Sequence, residues 1–304
     1  MKQIFNKFKL FLIPLTLFFL ICPFFSKAAT TGIQISPLTY NFELSPGESK
    51  QAYIKVTNIN NTNLEYIIEV ELFKNTSKEG APSFEGVTKP EGATTLLDWI
   101  NIAKKDQSGI IAPKKSKQID FTITVPKGAE PGGHYAAIFA KQVQKTPEGK
   151  VEIGVASRVG TLILVSVPGE VKKGAEISEF NPATIVWQGP VTFNMEVTNT
   201  GTVHYDSQAT LNIKPWLSST RSMDMGTHTI LPSNAREYEA VWQNKFPFGF
   251  YSLTAIALDG DGQEVSKDAW MIAIPLIIVI PVLAAIILFI ILIKYLKKHV
   301  KFEK

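Results

Sequence analysis

No charge interrupts the 23 residues from Met271 to Ile293. At about 1.5 Å per residue, a helix of that length crosses a hydrocarbon core of roughly 30 Å. Asp268 stands before the run, while Lys294, Lys297, Lys298 and Lys301 follow it. The excess of lysine after the run predicts a cytoplasmic tail over 294–304, with everything up to Trp270 outside. Trp270 and Tyr295 occupy the places where interfacial aromatic anchors are expected. The sequence therefore predicts a single-pass protein of the plasma membrane, with its N-terminus outside. Whatever the protein does then falls to the 242 residues of 29–270.

A second apolar block opens the chain. Lys2, Lys7 and Lys9 precede an apolar run from Leu10 to Phe25, and Ser26-Lys27-Ala28 closes it. Basic start, short apolar core and small-residue exit predict a secretory signal peptide over 1–28, cleaved after Ala28. Cys22, between Ile21 and Pro23, lacks the small preceding residue that lipid attachment favours. It is also the chain's one cysteine, so the mature protein is expected to hold no disulfide, thiol nucleophile or cysteine metal site. The external segment carries 22 Lys and Arg against 26 Asp and Glu, a net of −4, so the overall +4 belongs to leader and tail. Nothing in that balance calls for a nucleic-acid partner.

The external residues show a period of two. Gln51 to Asn58, Lys117 to Val125 and Val191 to Asn199 each alternate polar and apolar side chains. Half-buried antiparallel strands give that pattern, because successive side chains face core and solvent in turn. Such strands, separated by Gly, Pro, Asn and Asp clusters, predict an all-β chain of immunoglobulin-like β-sandwiches. Ile54-Lys-Val-Thr-Asn58 returns 141 residues later as Met195-Glu-Val-Thr-Asn199. Each copy leads through a polar loop into another strand, Leu64 to Phe73 and His204 to Ile213, so two sandwiches are expected. The boundary falls near Gly169 to Lys173, giving a first domain over 29–170 and a second over 171–270. Asn75 to Asp98 reads as an insertion forming a loop or small hairpin. The short joint at Val171 to Gly174 predicts a stubby arm reaching no more than about 80 Å from the membrane.

Motifs for chemistry are missing. His134, His204, His228 and His299 show no metal-ligand spacing, and no His-Glu-x-x-His, Gly-x-Ser-x-Gly or phosphate-binding glycine loop occurs. No enzyme activity and no cofactor are expected. Asp259-Gly-Asp-Gly-Gln-Glu264 has the look of an oxygen-rich calcium loop but lacks its spaced bidentate glutamate, so a hairpin turn is expected instead. Asn60-Asn-Thr62 and Asn75-Thr-Ser77 have the form of glycosylation acceptors. Trp99, beside Leu97 and Ile100, reads as core. Trp216 and the cluster Phe246 to Tyr251 read either as rim packing or as an exposed patch near the membrane.

Several stretches carry a family pattern. Pro37, Leu44-Ser-Pro-Gly47 and Val56-Thr-Asn58 resemble the opening of the external domain of WxL-interacting proteins of bacterial cell surfaces. So do Leu97-Asp-Trp-Ile100, Ala112-Pro113, Phe121 to Pro126, and Ala129 to Tyr135 running into Ala136-Ala-Ile138. The resemblance implies a signal peptide, two β-sandwiches, one membrane helix and a short basic tail. It further implies attachment, with peptidoglycan bound by the first domain and secreted surface proteins, WxL-bearing ones among them, by the second. It names no individual binding residue. The alternative expectation is an accessory subunit of a membrane complex for secretion, pilus or transporter assembly.

Overall fold

The computed structural model describes residues 32–89, 91, 94–143 and 157–299, and the expected leader over 1–28 lies outside them. The period-two segments are strands. Among the described residues, nine strands build the first sandwich. One sheet runs β1 (Ile33–Ser36), β3 (Ser49–Asn58), β9 (Ser116–Thr124), β7 (Ile100–Ile102). The facing sheet runs β2 (Thr39–Glu43), β11 (Arg158–Val167), β10 (Gly132–Gln142), β4 (Leu64–Leu72), β8 (Ser108–Ile111). The leading strand is shared: β1 pairs antiparallel with β3, the chain turns at Pro37, and β2 then pairs parallel with β11.

The second sandwich repeats the plan. One sheet holds β12 (Ala175–Glu179), β14 (Val191–Asn199) and β17 (Ala235–Trp242). The other runs β13 (Ile185–Val186), β19 (Glu264–Ala273), β18 (Gly249–Leu258), β15 (Tyr205–Pro215), β16 (Arg221–Ile230). Again the leading strand divides, and β13 lies parallel to β19. The chain is thus all-β, two immunoglobulin-like sandwiches followed by one apolar helix.

Alternation is what closes each core. Ile54 and Val56 of β3 lie beside Ile119, Phe121 and Ile123 of the neighbouring β9 on the inner face of one sheet, all buried in the first cluster. Phe193, Met195 and Val197 of β14 fill the second. Truncating a side chain such as Phe193 to alanine costs about 3–5 kcal/mol, because the cavity left behind collapses only in part.

The insertion contains a hairpin of β5 (Asn75–Thr76) and β6 (Pro82–Ser83). A single helical turn, α1 (Leu96–Trp99), follows; the Thr95 N–H donates to the Asp98 carboxylate at 2.9 Å, and Leu96 and Trp99 are buried. Trp99 is therefore a core residue. The Asp259 stretch is a turn: the Asp259 carboxylate accepts the Asp261 and Gln263 N–H groups at 2.9 and 2.8 Å, with Gly262 at a φ of +77°.

The helix α2 spans Leu276–His299, with Pro281 inside it. Its stretch Leu276–Lys297 is long and apolar enough to cross a membrane, and none of its most apolar part is buried against the protein. It begins later than the uncharged run. Met271 to Ala273 belong to β19, where Met271 pairs with Tyr251 and is fully buried. A core strand and an apolar helix are equally free of charge, so hydropathy alone merges them.

Contacts between the sandwiches are specific. The Gly133 and Thr202 N–H groups donate to the Thr202 and Lys172 carbonyls at 3.2 and 2.8 Å. A small third cluster of Phe73, Leu164 and Leu231 packs across the joint, with Phe84, Tyr135 and Leu162 against it. The β5–β6 hairpin reaches over to the second sandwich. There the Thr76 N–H donates to the Asn234 side chain at 2.8 Å, the Glu237 N–H donates to the Lys78 carbonyl at 3.0 Å, and Lys78 pairs with Glu196.

Candidate functional site

On the outward face of the first sandwich, the polar half of each alternating strand lies in register. Tyr53 of β3 stands opposite Asp120 of β9, and Gln51 opposite Thr122, which in turn faces Asn101 of β7. Together with Ala103 these residues line an open trough of about 600 Å³, within the range of small-ligand sites. Its length follows from β7, which has three residues and pairs β9 only from Phe121 to Ile123. Past Ala103 the chain turns away, so that side of β9 has no ladder partner from Ser116 to Asp120 among the described residues.

Tyr53 is 48 % exposed in spite of its size. The Tyr40 hydroxyl donates to the Tyr53 carbonyl at 2.7 Å, tying that backbone to β2. The Gln118 amide donates to the Asp120 carboxylate at 2.7 Å, aiming the carboxylate along the sheet. One aromatic face ringed by an amide pair, a hydroxyl and a carboxylate presents stacking area and several hydrogen-bonding groups to one ligand. Among the described residues, no three or more His, Cys, Asp or Glu are grouped to hold a metal ion.

A second concavity lies between the sandwiches, a cleft of about 320 Å³ with Phe73, Leu162 and Leu231 on its apolar side and Thr76, His228 and Arg236 on its polar side. Burial lowers the Arg236 pKa, and its Nε, like the Thr76 hydroxyl, has no hydrogen-bond partner among the described residues. Burial, and then the Arg236 charge, hold His228 below its ordinary value.

His204 bridges the joint near this cleft. The Tyr135 hydroxyl donates to its Nδ1 at 3.3 Å, and its Nε2 donates to the Asn41 side chain at 2.7 Å. Burial pushes His204 down to about 4, with Asp206 opposing the shift slightly, and pushes the Tyr135 hydroxyl up. The ring is thus a neutral pin between domains.

The aromatic groups singled out in the sequence divide. Trp99 packs in the core, and Tyr251 is buried with its hydroxyl donating to the Phe248 carbonyl at 3.2 Å. Trp216, Phe246, Phe248 and Phe250 are exposed. Tyr53, Asn101 and Asp120 were not marked by any motif. Their one sequence signal is an aromatic residue at a polar position of an alternating strand.

Fold and trough together define a two-sandwich β-protein with an open polar trough on its first sandwich and an apolar C-terminal helix. No family model and no curated protein matches the sequence. Among solved structures, the chain is similar to the class 5 fimbrial chaperone CfaA at 14% identity, covering 79% of this chain and 99% of that one with a TM-score of 0.39. It is also similar to the E. coli chaperone DraB at 11% identity, covering 79% and 98% with a TM-score of 0.36. The CupB2 chaperone of Pseudomonas aeruginosa is similar at 10% identity, over 77% and 98% with a TM-score of 0.35. Likeness at this level carries nothing about function.

Proposed function

We propose that this chain is a non-catalytic attachment protein of a bacterial cell surface, anchored by α2, whose first sandwich holds a wall glycan in the Tyr53 trough. The observation that carries this reading is the trough itself: an exposed tyrosine face with Gln51, Asn101, Asp120 and Thr122 around it. Sugars present C–H faces that stack on aromatic rings and hydroxyls that pair with amides and carboxylates. The resemblance of the first domain to WxL-interacting proteins supports peptidoglycan as the polymer, and the apolar length of Leu276–Lys297 supports a plasma-membrane anchor. Co-sedimentation of the detergent-solubilised chain with purified peptidoglycan tests it. Failure to co-sediment removes the glycan.

A second reading follows from the interdomain cleft. The unpartnered Arg236 Nε and Thr76 hydroxyl, beside apolar Phe73 and Leu162, suit an acidic peptide segment with apolar neighbours. In that reading the chain is an accessory subunit holding a partner protein, WxL-bearing or part of an assembly machine. Loss of partner capture on Arg236→Ala, with peptidoglycan indifferent, would favour it.

A further inference from the structure

Strand order sends three loops and the helix to one end of the second sandwich. Gly249 pairs with Ala273, Pro215 with Tyr251 and Val191 with Trp242, so the segments 187–190, 216–220 and 243–248 all leave from the end where β19 runs out. The Ile274 N–H donates to the Val186 carbonyl at 2.8 Å, the Gly189 N–H to the Lys245 carbonyl at 3.1 Å, and the Trp216 N–H to the Phe250 carbonyl at 3.1 Å. These bonds gather the loops around the point where the chain passes into α2.

At that end the side chains are apolar and open. Trp216 is 78 % exposed, Leu217 89 % and Phe248 72 %, with Trp187 and Phe246 beside them near half exposure. On the outward face of the adjoining sheet, Phe250 and Trp270 stack with ring centroids 6.1 Å apart. The three loops hold no acidic residue; Lys214 and Arg221 flank the 216–220 loop, and Lys245 lies within 243–248. The opposite end of the same sandwich faces the first domain and carries Asp259, Asp261 and Glu264 at its hairpin.

We infer that this aromatic end is a lipid seat, with Trp187, Trp216, Leu217, Phe246 and Phe248 entering the outer headgroup layer and Lys214, Arg221 and Lys245 contacting lipid phosphates. The inference rests on the reading of α2 as a membrane anchor. Only Ile274 and Pro275 separate β19 from α2, and two residues reach about 7 Å at most. The headgroup layer is about 5–7 Å thick on each side. A helix occupying the hydrocarbon core therefore brings the loops down into that layer, where tryptophan and phenylalanine are favoured and basic groups meet anionic lipid. The seat would fix the tilt of the arm that presents the first sandwich.

The test uses the full chain in phosphatidylcholine–phosphatidylglycerol vesicles, with Cys22→Ser and one nitroxide at Leu217→Cys, Asp261→Cys or Leu283→Cys. Collision rates with oxygen, which concentrates in lipid, and with a water-soluble nickel chelate are compared. The inference predicts a several-fold higher oxygen-to-nickel ratio at 217 than at 261, approaching that at 283. A lipid signature at 283 with a water signature at 217 overturns the seat and leaves the anchor standing. Shielding of 217 from both agents also overturns it, in favour of a protein contact. Nickel access at 283 overturns the anchor and the seat together.

Discussion

Asn58 and Asn199, 141 residues apart, hold the same three hydrogen bonds in their two sandwiches. Asn58 donates to the Thr62 and Ile111 carbonyls at 2.8 and 2.9 Å and accepts the Asn60 N–H at 2.9 Å. Asn199 donates to the Val203 and Ile230 carbonyls at 2.9 Å each and accepts the Gly201 N–H at 2.7 Å. Each side chain is fully buried at the end of its strand, closing the following loop and reaching the edge strand of the opposite sheet. The sequence repeat is thus the trace of a structural device used twice.

Asn199→Ala should therefore destabilise the second sandwich by about 3 kcal/mol, since it strands two buried carbonyls and one N–H. Asn58→Ala should cost a similar amount in the first. Chemical denaturation of each variant measures this, and a cost below about 1 kcal/mol would show that water takes over the side chain's place.

Stability should fall on acidification through His204. Its folded value of about 4 lies below the ordinary 6.5, so between those values the unfolded chain binds a proton that the folded chain does not. Its contribution is complete above 6.5 and is lost as pH falls toward 4, to a total of about 3 kcal/mol. Thermal unfolding from pH 7 to pH 5 should show the decline, and His204→Gln, which keeps a side-chain amide near Asn41, should flatten it. An unchanged slope would place the titration elsewhere.

Gly80 sits at a φ of +95°, and a Cβ built there would overlap the Arg236 guanidinium. The guanidinium is the free end of a flexible side chain and can swing aside. The cost of Gly80→Ala therefore comes from the left-handed backbone, about 1–3 kcal/mol of strain in the hairpin that contacts the second sandwich. Limited proteolysis should then cut the 168–174 linker several-fold faster. Equal cutting would mean that the third cluster around Phe73 and the His204 bridge hold the domains without the hairpin.

Much of this fold was legible because alternation is local. Gln51 to Asn58 and Val191 to Asn199 announce their own strands, and the Asp259 turn is closed by hydrogen bonds within five residues. The start of α2 was not, because Met271 and Ala273 are apolar for the sake of the sandwich core while Leu276 onward is apolar along the helix surface. The domain joint was hidden as well: His204 meets Asn41 across 163 residues and Thr76 meets Asn234 across 158. The trough combines Tyr53, Asn101 and Asp120 from three strands, and no spacing in one dimension encodes a row that runs across a sheet.

Glycan binding at Tyr53 is tested by the retention of full-length wild type, Tyr53→Ala and Arg236→Ala on purified peptidoglycan, measured side by side. Tyr53 is half exposed, so its removal should leave the fold intact. Tyr53→Ala should weaken retention by about tenfold, or about 1.4 kcal/mol, as loss of an aromatic contact residue does. Arg236→Ala should bind as wild type does. Equal retention of wild type and Tyr53→Ala, or loss confined to Arg236→Ala, would contradict the trough as the binding site.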